Sequence, residues 1–119
     1  MAIVKSFTDL EQSEKLVKIL PLESADMRIG NYVGKSGKVD GTNVHYYHKD
    51  ESFGAPEIIN AWSLAALLGV LPSGYAIVKN YHGFYFVESR DHGKSTNIFN
   101  NPIDACYEMI LKLHELKML

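Results

Sequence analysis

Sulfur chemistry is almost missing from this chain, which has one cysteine, Cys106, in 119 residues. No internal disulfide can form, so the expected setting is a reducing, cytoplasmic one. Arginine is nearly as scarce, with Arg28 and Arg90 alone. The fork that grips phosphate and guanine is therefore in short supply. Positive charge is not in excess either: 12 basic residues face 14 acidic ones, for a net charge of −2. A protein built to hold a nucleic-acid backbone needs a concentrated basic face, so nucleic acid is an unfavoured partner. No uninterrupted apolar run is long enough for a bilayer. The longest, Ala61 to Val78, is broken by Pro72, Ser73 and Gly74, and no membrane span is expected. The opening Met1-Ala2-Ile3-Val4-Lys5 turns polar at once, which predicts no signal peptide.

What is present suits a single globular domain spanning residues 1–119. Hydrophobic residues make up 46% of the chain, enough to offset the entropy of ordering it. Thr8 and Glu11 have capping-box spacing before a helix whose apolar side carries Leu10, Leu16, Val17, Ile19 and Leu20, and Pro21 ends it. Residues 22–26 read as a turn, and Met27–Val33 alternates as a strand. Asn43–Lys49 reads as the returning strand, after a glycine-rich connection, and 50–56 as a polar loop. Ser63 is a good N-cap for a helix to Leu71. Trp62 before it and Leu67 within it are placed for a hydrophobic staple. This helix is apolar nearly all round, which predicts burial on every side.

Tyr75–Asn80 and Phe84–Ser89 read as a hairpin with Gly83 in the left-handed position, followed by a short strand at Thr96–Phe99. The last helix has Asn101 as N-cap and Pro102 at its first position. Its core stripe is Ile103, Cys106, Met109, Ile110, Leu113 and Leu116, and Glu108 and Lys112 form an i, i+4 pair on its wet side. The expected fold is α+β: a mostly antiparallel sheet of about five strands with three helices, in the order α-β-β-α-β-β-β-α.

Motifs for catalysis are weak. Two Gly-Lys-Ser triplets, at 34–36 and 93–95, invite a phosphate-loop reading. The required glycine five residues earlier is replaced by Ile29 and Glu88, which excludes it. His45 and His48 fall on opposite faces of a strand, so no metal site is expected. Cys106 lies on an apolar helix stripe, as a packed thiol and not a nucleophile. Asp91 beside His92 could act as an acid/base pair only if the fold brought them to His45 or His48. No catalytic residue, metal or cofactor is assigned.

Aromatic residues crowd the middle strands. Phe84 and Phe86 lie on one face of their strand, Tyr85 and Val87 on the other, so both faces are partly apolar. Either the chain's own helices and loops cover both faces, or one meets a partner or a second copy.

Three stretches together resemble a group of small uncharacterised proteins of bacterial phages and mobile elements. They are Glu11–Leu16 with Leu20-Pro21 and Glu23–Met27; Trp62-Ser63-Leu64-Ala65-Ala66-Leu67-Leu68 preceded by Ala61 and followed by Leu71-Pro72; and Asn101-Pro102-Ile103-Asp104-Ala105-Cys106-Tyr107-Glu108-Met109-Ile110. The resemblance implies a genetic setting and no activity. The leading expectation is a small non-enzymatic accessory or modulator protein that binds a macromolecular partner, either an unidentified protein or itself. Tyr46, His48, Tyr81 and His82 are the expected contact residues. The alternatives are an antitoxin-like nucleic-acid regulator using Lys35, Lys38, Lys79 and Lys94, and a small hydrolase using Asp91 and His92.

Overall fold

The computed structural model describes residues 5–33, 39–48, 57–90 and 93–119, and of residues 30–33, 39–48, 57 and 58 the backbone alone. The class is α+β. Helix α1 spans Leu10–Ile19, a single 3₁₀ turn spans Leu22–Ser24, and strands β1 (Met27–Val33), β2 (Val39–His48) and β3 (Glu57–Ala61) follow. Then come α2 (Leu64–Val70), β4 (Tyr75–Lys79), β5 (Tyr85–Ser89) and α3 (Pro102–Glu115).

Two antiparallel sheets stand where one was expected: a three-stranded sheet in the order β2-β1-β3 and a separate hairpin, β4-β5. The order also differs, because the third strand precedes α2. The sequence 57–61 contributes Ile58, Ile59 and Ala61 to pair with Asn31–Met27 of β1. The segment 96–99, expected as a strand, forms no regular ladder with β5: isolated bridges stand at Tyr85–Phe99 and Glu88–Ser95, and Thr96 N–H donates to the Val87 carbonyl between them. Thr96 explains the interruption: its hydroxyl, not its backbone, accepts from Val87 N–H at 3.0 Å.

Helix starts follow local chemistry. The cap of α1 is one residue later than Thr8: Asp9 Oδ1 accepts from Gln12 N–H, and Gln12 Oε1 accepts from Asp9 N–H. A carboxylate caps better than a threonine that is already committed elsewhere. Thr8 is fully buried, and its hydroxyl accepts from the backbone N–H of Trp62 and shares a bond with Ser13 Oγ. Thr8 N–H donates in turn to the Trp62 carbonyl at 2.9 Å. At α2, Ser63 Oγ accepts from Ala66 N–H, while Ser63 N–H and its hydroxyl both donate to Asp26. Asn101 caps α3 by accepting from Asp104 N–H.

The main core joins Leu16 and Leu20 of α1 and its C-cap, Trp62, Leu67 and Leu71, Val87 of β5, and Ile103, Cys106, Met109, Ile110 and Leu113 of α3. Trp62 and Leu67 are both fully buried, as a staple requires. The all-round burial expected for α2 is not found: Leu67 alone is buried, and Leu68 is 42% exposed. Among the described residues, the seven-residue helix docks on α3 by one side and leaves its other side uncovered. Leu116, expected in the core, is the exposed C-cap of α3. Lys117 turns into the left-handed region at φ 58°, and Met118 N–H bonds back to the Leu113 carbonyl, which closes the helix.

Thr8→Val keeps the shape and removes the oxygen that serves Trp62 N–H and Ser13. A buried donor left unpaired costs about 1–3 kcal/mol. Urea denaturation is expected to show a loss in that range, with Thr8→Ser largely restoring stability.

Candidate functional site

The strand pair β4–β5 presents two faces. Tyr75 and Ile77 of β4, with Tyr85 and Val87 of β5, pack into the core beneath which α3 runs. The tyrosine-rich face is thus covered by the chain itself. The opposite face carries Ala76 and Val78 with Phe84 and Phe86, and cross-strand pairing sets Val78 beside Phe86. The Tyr85–Phe99 bridge runs the 95–99 segment along the other edge of β5, with Ile98 exposed on it. Phe84 is 40% exposed and Ile98 56% exposed, while Val78 and Phe86 are half-buried. A groove of about 420 Å³ runs along this face, lined by Val78, Lys79, Asn80, Tyr81 and Phe86.

A compact turn shapes the end of this groove. Asn80 Oδ1 accepts from the N–H groups of His82 and Phe84, and Gly83 takes φ +83°, as its place in a three-residue loop requires. The turn lifts Tyr81 entirely into solvent, with His82 exposed beside it. Two of the four expected contact residues therefore share one tip. The other two, Tyr46 and His48, stand in β2 opposite Ile29 and Met27, in the other sheet. The four do not form one strand-pair surface. Phe84, Phe86, Val78 and Ile98 extend the tip instead, and the two-sided apolar pattern of 84–87 was their signal in the sequence.

A second cleft, of about 410 Å³, lies between α1 and α3 and is lined by Lys5, Asp9, Gln12, Asp104 and Tyr107 among others. Its polar groups serve one another. Lys5 Nζ donates to Asp9 Oδ2 at 2.9 Å and to Asp104 Oδ1 at 2.8 Å. Asp104 also accepts from Gln12 Nε2 and Asn101 Nδ2, both at 2.8 Å. Burial disfavours the Asp104 anion, but hydrogen bonds from Lys5, Asn101 and Gln12 outweigh it and hold its carboxyl below the ordinary value. Burial likewise works against the Lys5 cation, and the two carboxylates reverse the balance and raise it. Burial first, then the charges of Asp9 and Glu11, push the Tyr107 hydroxyl up. The cluster is a tie between the N-terminal segment and α3, with both aspartates hydrogen-bonded within it.

The other candidates fall apart in space or lie outside the described residues. Asp91, His92, Lys35 and Lys38 belong to the undescribed segments. Lys79 ends β4 beside the turn, whereas Lys94 pairs with Ser89 at the opposite end of β5. Glu108 holds Asn97, and Lys112 reaches the Ser95 carbonyl, so the expected i, i+4 pair is replaced by two ties to the 95–97 segment. Among the described residues no three His, Cys, Asp or Glu side chains gather as metal ligands, and no helix is long and apolar enough to cross a membrane. Arg28 Nε, on β1, is buried without a hydrogen-bond partner among the described residues.

Cys106 is fully buried, and burial pushes its thiol up to about 12. Thiol reagents should therefore leave the native protein unlabelled and titrate one thiol only after denaturation; rapid native labelling would contradict this. The depressed Asp104 carboxyl contributes stability that is present above its ordinary value of 3.8 and lost as pH falls through its lower folded value. The raised Lys5 contributes below 10.5 and fades as pH climbs through its higher folded value. Asp104→Asn should lower stability by about 1 kcal/mol at pH 7, and the difference from the parent should shrink as pH falls through the lowered folded value of Asp104 in urea titrations. No family model, curated protein or solved structure matches this chain.

Proposed function

We propose that this chain is a small non-enzymatic accessory or modulator protein that acts by binding another protein through the outward face and tip of the β4–β5 hairpin. One observation carries the reading. An apolar sheet face with an open groove, formed by Val78, Phe84, Phe86 and Ile98 and ended by the fully exposed Tyr81, lies on the surface with no covering element among the described residues. Large tyrosine and phenylalanine side chains gathered at one place supply the anchors that dominate protein–protein contacts. The polar rim of Asn80, His82 and Lys79 suits a site that is wet at its edge and dry at its centre.

Among the described residues, several groups that could serve catalysis are committed elsewhere. The thiol is buried and neutral, and the Asp9, Asp104 and Glu108 carboxylates hold local structure. Lys79 and Lys94 stand at opposite ends of the hairpin, so these two cations of the nucleic-acid alternative do not cluster. The resemblance to small phage and mobile-element proteins belongs with this proposal, since a modulator of that kind needs a docking surface and no active site.

Phe84→Asp and Tyr81→Ala are surface changes expected to leave folding intact. Quantitative affinity capture from the native host should lose the same specific protein with both. Leu68→Asp, at an exposed apolar position on α2, should retain it. Losses of roughly tenfold or more in affinity are expected for an anchor residue. Equal recovery with all three variants would overturn the assignment of the surface.

A further inference from the structure

We draw no further inference here: the strongest candidate, the cleft between α1 and α3 lined by Lys5, Asp9, Gln12, Asp104, Tyr107 and Glu108, is an acidic cluster whose aspartates Lys5 and Gln12 already engage, and no second observation points to a ligand in it.

Discussion

Burying the backbone and indole of Trp62 is the constraint on which the rest of the fold depends. A tryptophan with no exposed surface must still satisfy its polar groups, because an unpaired buried donor costs more than a made bond returns. Its N–H is taken by the Thr8 hydroxyl, its carbonyl by Thr8 N–H, and its indole N–H by Ser24 Oγ at 2.9 Å. The next residue, Ser63, starts α2 and binds Asp26 just ahead of β1. Five parts of the chain thus meet within two residues: the N-terminal segment, α1 through Ser13, the 3₁₀ turn, the start of β1, and α2. Lys5 extends the same clamp to α3 by bridging Asp9 and Asp104.

Sequence reading recovers the features written in local chemistry. Asn101 with Pro102, Ser63 after Trp62, and Gly83 in its turn each satisfy a stereochemical need within a few residues, and each is found where expected. The stripe from Ile103 to Leu113 repeats at helical spacing and is buried as expected. What fails is set by distant partners. Thr8 looks like a cap until Trp62, 54 residues away, claims its hydroxyl. The residues 57–61 lack a sharp alternation and become a strand because β1 offers them an edge. Thr96–Phe99 has strand composition, yet the Thr96 side chain takes the place of a backbone rung.

The same division runs through the functional surface. That both faces of Phe84–Val87 are apolar is visible in the sequence, but which face remains open is decided by where α3 docks. The tyrosine face closes onto the core and the phenylalanine face stays outside. Tyr81 and His82 stay together because one hairpin turn holds them, whereas Tyr46 and His48 belong to another sheet. Meanwhile the titratable groups of the α1–α3 cleft are spent on holding elements together. The described surface offers apolar area on the outward face of the hairpin, a resource for binding.

Native mass spectrometry of the protein, purified gently from its own host, tests this reading most directly because it reports metal, small molecule, nucleic acid and protein in one spectrum. A non-enzymatic protein-binding module predicts polypeptide masses alone, either further copies of the chain or the chain with another protein. A stoichiometric metal ion or small-molecule adduct that survives desalting would contradict it and return attention to the histidines.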